Sequence, residues 1–166
     1  PLYSADYVNR LFAMVSRNLP KGMEGRFVCL TDDPTDIRPE VICKQLDEGA
    51  TGWWNKLQLF KPGMFEVGDR VVYFDLDTLI TGPLDDLVAG PGIFAGLEDF
   101  FRPGQFASGV MTWTAGYVDH NIWTDWVAAG RPDHEFGDGG WIGDAVGDRL
   151  FIFHDQDSLG HGGGTH

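Results

Sequence analysis

The chain has 166 residues, a length suited to one domain with one core. Its 43% apolar and 13% aromatic content excludes a disordered polypeptide. Twelve basic residues against 25 acidic ones give a formal charge of −13, and no basic stripe interrupts it, which argues against duplex DNA or RNA as a partner.

The first expected element is a helix with Ser4 as its N-cap. Its apolar positions Tyr7, Val8, Leu11, Phe12, Val15 and Leu19 follow the helical period, and Pro20, Gly22 and Gly25 end it. Residues 26–31 read as a buried strand closed by an Asp32-Asp33-Pro34 turn, and 41–46 as a second strand. The two cysteines, Cys29 and Cys43, fall in these apolar runs and read as small buried hydrophobes, not as a disulfide. After a loop at 49–52, residues 53–60 read as a short helix stopped by Pro62-Gly63. Residues 70–74 form a strand, 78–81 continue extended, and Gly82-Pro83 turns the chain. Further strands are expected at 93–97, 106–113 and 150–153, with helices at 115–129 and 138–146. The end of the chain, 157–166, reads as a mobile tail. Alternation of helices and strands makes the class α/β in one domain over 1–166. No apolar run is long enough to cross a bilayer and no signal-peptide pattern is present, so the expected location is cytoplasmic.

The run Val71-Val72-Tyr73-Phe74-Asp75-Leu76-Asp77-Thr78-Leu79-Ile80 carries the most chemistry. Aspartate is depleted in strand interiors, so Asp-x-Asp at the end of an apolar strand needs a reason. Two hard oxygen ligands suit Mg²⁺ or Mn²⁺. Strand alternation would point Asp75 and Asp77 the same way and Leu76 into the packing. In a chain this acidic, a bound cation is also what would let an anionic substrate approach. The plainer alternative is a solvated strand end. An EF-hand is ruled out, because Leu79 and Ile80 occupy positions that should carry oxygen ligands. A dehalogenase-type phosphatase also places Asp-x-Asp after an apolar strand, and Gly137-Asp138 with Asp144 imitates its distal acidic motif. Thr78 follows Asp77 one residue too early for that pattern, and about seventy residues come first. That reading stays as the alternative.

The segments Trp53-Trp54-Asn55-Lys56-Leu57-Gln58-Leu59-Phe60, Arg70-Val71-Val72-Tyr73-Phe74-Asp75-Leu76-Asp77 and Gly82-Pro83-Leu84-Asp85-Asp86-Leu87 together resemble a GT-A glycosyltransferase. Within that fold the chain is most similar to family 8, the glycogenin and galactosyltransferase group, and its short bacterial relatives. Phe106-Ala107-Ser108-Gly109-Val110-Met111 resembles that family's acceptor-side strand, and Gly137-Asp138-Gly139 its Gly-Asp-Gln segment. The resemblance extends over residues 3–153.

The resemblance implies a mixed central sheet flanked by helices and a UDP-sugar donor site. Asp75 and Asp77 would hold Mn²⁺ or Mg²⁺ against the diphosphate, and the metal would stabilise the departing UDP. Tyr3, Lys56, Leu76 and Ser108 would complete the donor site with the two aspartates, and Asp138 would be the catalytic carboxylate facing the sugar or the acceptor. Lys56 as a solvated helix lysine and Asp138 as a helix N-cap are the plainer alternatives. The acceptor, whether saccharide, lipid or protein, is not implied. Three departures stand out. The family's first strand has no counterpart before Pro1, so truncation at the start is expected. Gly139 replaces the Gln. His154 and His161 are the candidates for the family's third metal ligand, and neither has the flanking pattern that would assign it. A nucleotide-sugar-binding domain of weak or no activity is therefore a third reading. Trp113, Trp123 and Trp126 are expected in the core; Trp53 and Trp54, nearer the expected site, are expected to pack, with stacking on a sugar as the alternative.

Overall fold

The computed structural model describes residues 3–90, 92–117 and 119–153. Helix α1, Ala5–Asn18, buries Val8 and Leu11 and lays Phe12 against the first small sheet. Ser4 stands at its N-cap, but its side chain makes no capping bond; the Tyr7 amide donates to the Ser4 carbonyl instead (3.1 Å). Strands β1, Val28–Thr31, and β2, Ile42–Gln45, pair in parallel as a sheet of their own. Strands β3, Arg70–Phe74, β4, Phe94–Glu98, β5, Phe106–Thr114, and β6, Leu150–Phe153, form a second sheet in the order β3-β5-β4-β6. Its inner pairs are antiparallel and β4 with β6 is parallel, so this sheet is mixed. The short helix α2, Asp85–Ala89, follows β3, and α3, Asp119–Ala128, and α4, Gly137–Val146, follow β5.

The α/β class and a mixed sheet flanked by helices are as expected, but β1 and β2 stand apart from that sheet as a second one. β1 pairs only with β2 and β3 only with β5, so each has an edge without a ladder partner among the described residues. An open groove of about 430 Å³ separates them, lined by Val28, Ile42, Lys44, Phe65, Val71 and Trp113. The Arg26 guanidinium reaches Asp69 at 2.7 Å and ties the start of β1 to the start of β3.

The core lies beneath the second sheet. Phe60, Phe94 and Trp113 stack at centroid distances of 5.0–6.1 Å, and Trp54 lies on Trp126 at 5.4 Å. Such rings contribute area burial plus about 1 kcal/mol per well-placed pair. Trp113 and Trp126 are buried, and Trp123 packs against them, as expected. Trp53 departs from expectation: it is 65% exposed. The reason is the helix that carries it. Gly52–Phe60 winds as a nine-residue 3₁₀ helix, with three residues per turn. Trp54, Leu57 and Phe60 recur every third residue and are buried as one row, while Trp53 begins a second row whose later members, Lys56 and Leu59, are covered and whose first turn stands open to solvent.

Other differences are local. The 115–129 expectation contracts to α3, and the extended continuation at 78–81 forms no ladder. His154, His161 and the 157–166 tail lie outside the described residues. No helix among the described residues is long and apolar enough to cross a membrane. Cys29 and Cys43 sit opposite each other in register, both as free thiols. Cys29 is buried, as expected, but Cys43 is exposed, because β2 is an outer strand with few neighbours. Burial and then the neighbouring Cys43 push the Cys29 thiol up to about 11. A thiol reagent at pH 8 should therefore modify Cys43 rapidly and Cys29 only on unfolding, since the thiolate is the reactive form. Peptide mapping of the native and denatured protein checks this. Equal rates at the two positions would contradict the burial described.

Candidate active site

Strand β3 ends at Phe74, one residue before the first aspartate. The Asp75 amide donates to the Gly109 carbonyl on β5 (2.8 Å), and the Thr78 amide donates to the Asp75 carbonyl (3.0 Å). Residues 75–78 are therefore a turn, and strand alternation does not govern where Asp75 and Asp77 point. A turn is what aspartate favours, since its carboxylate competes with a ladder for backbone donors. Leu76, at the turn's centre, packs into the small cluster of Val8, Cys29 and Val41 and so anchors it.

The cluster around Asp75 forms from four elements. Lys56, from the 3₁₀ helix, places its ammonium 3.0 Å from Asp75 and 3.0 Å from Asp138. The same ammonium donates to the hydroxyl of Ser108 (3.0 Å) and to its carbonyl (3.2 Å). Ser108, on β5, donates its own hydroxyl to Asp138 (2.9 Å). The side chain of Lys56 is only 10% exposed and that of Asp138 13%, so neither plainer alternative holds. Lys56 is not a solvated helix lysine. Asp138 is not a cap: the N-cap is Phe136, and Asp138 lies in the first turn of α4, where the helix dipole also favours a carboxylate. At Gly139 the first turn of α4 packs on β5 at ordinary contact distance. A Cβ there would stand 3.4 Å from the Ser108 hydroxyl and 3.6 Å from the Phe106 carbonyl.

Two tyrosines hold the aspartates from the other side. Tyr73 donates to Asp75 (2.5 Å), and Tyr3 donates to Asp77 (3.1 Å). The hydrogen bond to Asp77 raises the Tyr3 phenol above its ordinary range. Tyr73 is raised well above its ordinary value, chiefly by burial and then by the charge of Asp75, with Asp138 and Asp77 adding. Beyond the end of β1, next to Tyr3, is a hollow of about 500 Å³ lined also by Ser4, Asp6, Asn9, Thr31 and Asp32. A crevice beyond the carboxyl ends of strands is where open α/β sheets bind ligands.

All seven residues singled out in the sequence are thus placed. Lys56, Asp75, Ser108 and Asp138 form one hydrogen-bonded cluster; Tyr3 and Asp77 form a pair beside it; Leu76 supports the turn. Sequence reasoning passed over Tyr73, although its position two residues before Asp75 was the available signal, and over Thr31 and Asp32, which read as an ordinary turn. Among the described residues no three His, Cys, Asp or Glu side chains converge as a ready-made metal site. The donor set Asp75 and Asp77 nonetheless suits a hard cation that binds one or two carboxylates and completes its shell with water and phosphate.

The architecture matches a known one. A chain of known structure with a similar fold is the glycosyltransferase GlyE of Streptococcus pneumoniae TIGR4, at a TM-score of 0.52 and 19% identity, covering 72% of this chain. Over the matched part this chain shares the fold of that glycosyltransferase. The match spans 32% of the GlyE chain, so this chain corresponds to about a third of that protein. No protein-family profile matches the sequence, and no curated protein does.

Two measurements probe the cluster. Lys56→Met strips the cation from two carboxylates, one of them largely buried, and should lower stability by about 3 kcal/mol. Urea unfolding at pH 7 reads this, and adding Asp138→Asn should recover part of the loss. For Tyr73 the folded state holds its proton more tightly than the unfolded chain. Its contribution to stability is therefore complete below about pH 10, the free phenol's value, and lost as pH rises through the folded value. Tyr73→Phe should flatten the fall in stability above pH 10, which thermal unfolding across pH 8–11 checks.

Proposed function

We propose that this chain carries the nucleotide-sugar site of a metal-dependent glycosyltransferase of the GT-A kind, with motifs most similar to family 8 and a UDP-sugar as donor. The observation that supports it most is the Lys56 ammonium set between Asp75 and Asp138, beside the 75–78 turn, on a glycosyltransferase fold.

The roles follow from the geometry. Asp75 and Asp77 would hold Mn²⁺ or Mg²⁺, Asp75 sharing its carboxylate between the ion and the Lys56 ammonium. The cation, when bound, supplies Lewis-acid stabilisation of the diphosphate leaving group. Tyr73 and Tyr3 fix the two carboxylates, so they need little reordering to receive an ion. Tyr3 borders the hollow that would take the base and ribose of UDP, with Thr31 and Asp32 on its other side. Lys56 is the local positive charge, and it opposes the repulsion that a chain of charge −13 exerts on a diphosphate. Ser108 and Asp138 would face the sugar. Transfer breaks the bond from the anomeric carbon to the diphosphate oxygen, which keeps the electron pair. The acceptor oxygen forms the new bond to that carbon, and its proton passes to Asp138, the cluster's one carboxylate away from the 75–78 turn.

Isothermal titration tests the reading. UDP should bind in the presence of Mn²⁺ and lose at least tenfold in affinity with EDTA. Asp77→Asn should abolish the metal-dependent part while thermal unfolding stays unchanged, since it keeps the shape and removes one anionic ligand. Equal affinity with and without EDTA would sink the cation bridge. Hydrolysis of p-nitrophenyl phosphate that is lost in Asp75→Asn would instead favour the dehalogenase-type alternative.

A further inference from the structure

Trp53 is one of several large aromatics that the fold leaves exposed, with Phe100, Phe101 and Tyr117, and among these it is the one carried by the helix that also carries Lys56. It is 65% exposed, and among the described residues no ring or cation stacks on its indole and no acceptor meets its N–H. Exposure alone is ordinary for a single apolar residue, so what singles Trp53 out is its place beside the cluster. Its neighbour Trp54 is buried and stacked on Trp126, with its N–H given to Asp133 (3.2 Å). The tandem is thus divided, one ring serving the core and one facing solvent.

The exposed ring has a defined place relative to the cluster. In a 3₁₀ helix, side chains three apart eclipse, so Trp53 stands directly one turn before Lys56. One 3₁₀ turn rises about 6 Å, close to the span of a single sugar ring. The indole nitrogen lies 3.8 Å from where a Cβ on Gly137 would be, and the next residue is Asp138. A ring stacked on Trp53 would therefore have an edge beside the Lys56–Asp138 pair. Phe136, 41% exposed, flanks the same step of α4.

From this placement we infer that Trp53 is the stacking platform of an acceptor subsite for a neutral saccharide. The inference rests on the glycosyltransferase reading above and names the class of its acceptor. An aromatic face beside a carboxylate matches the two sides of a pyranose. The ring's carbon–hydrogen face lies on the indole, and its hydroxyls donate to Asp138. The overall charge of −13 disfavours an anionic acceptor such as a phosphopeptide or an acidic polymer. Gly137 leaves the approach open, since it places no side chain beside the indole.

The test separates the donor and acceptor halves of the site. Saturation-transfer NMR with lactose, maltose and cellobiose at millimolar concentration measures saccharide binding, and titration with UDP and Mn²⁺ measures the donor site. Wild-type protein should bind at least one disaccharide with UDP and Mn²⁺ present. Trp53→Ala should weaken that binding at least tenfold, Trp53→Phe no more than threefold, and neither should change UDP affinity. Disaccharide binding unchanged in Trp53→Ala would overturn the inference. So would the absence of any disaccharide binding to wild-type protein that binds UDP normally; in both cases the donor reading stands. If UDP fails to bind wild-type protein while disaccharide binding depends on Trp53, the donor reading fails and the saccharide platform stands.

Discussion

The geometry of the site depends on one ammonium group. Lys56 sits between Asp75 and Asp138 at 3.0 Å from each, and those carboxylates come from elements far apart in sequence. Asp75 opens the turn that follows β3, and Asp138 lies in the first turn of a helix that follows β5. Without a cation between them the two would repel, and α4 would have no electrostatic reason to press its first turn against β5. With the cation present, the Ser108 hydroxyl and carbonyl complete its shell, and the cluster is satisfied with little water. A largely buried network of this kind contributes little net stability, since desolvation offsets attraction. Its value lies in fixing where two carboxylates stand.

What holds the ammonium in place is the winding of the helix behind it. The row Trp54, Leu57 and Phe60 plugs into the aromatic core, and the row Gly52, Asn55 and Gln58 braces itself, with the Gln58 amide donating to Asn55 (2.9 Å). The third row, Trp53, Lys56 and Leu59, is anchored at its far end by Leu59 in the core, which leaves Lys56 aimed at the cluster and Trp53 at solvent. Nine residues is long for a 3₁₀ helix, whose hydrogen bonds are poorer than those of an α-helix. The aromatic core compensates, and an α-helical winding would rotate Trp53 away from Lys56.

Much of this was legible in the sequence. Period and composition located α1, the strands and α4 within a few residues, because their apolar positions recur at clear spacings. The aspartates, Lys56, Ser108 and Asp138 were visible as motif residues. What could not be read was how they meet. Asp75-Leu76-Asp77 was expected to alternate on a strand, yet aspartate's preference for turns ends β3 at Phe74. The spacing of Trp54, Leu57 and Phe60 at every third residue was the signal for a 3₁₀ helix, but short helices leave too few turns to separate a period of 3.0 from 3.6. Trp53 was expected to pack for the same reason. Tyr73 was hidden because a tyrosine in an apolar strand looks like any other core residue; only the fold shows its hydroxyl on Asp75. The division into two sheets has no local sequence signal, since strand pairing is a long-range choice.

That division has a colloidal side. Among the described residues the facing edges of β1 and β3 have no ladder partner, and the side chains from Arg70 to Tyr73 are only half-buried along the groove. An edge of this composition is a template for any extended strand that approaches it. The charge of −13 keeps copies of the chain apart in dilute buffer. Salt shortens that repulsion to about 3 Å at 1 M. Ionic strength therefore acts on this molecule as a control on self-association, quite apart from anything it does to a diphosphate in the site.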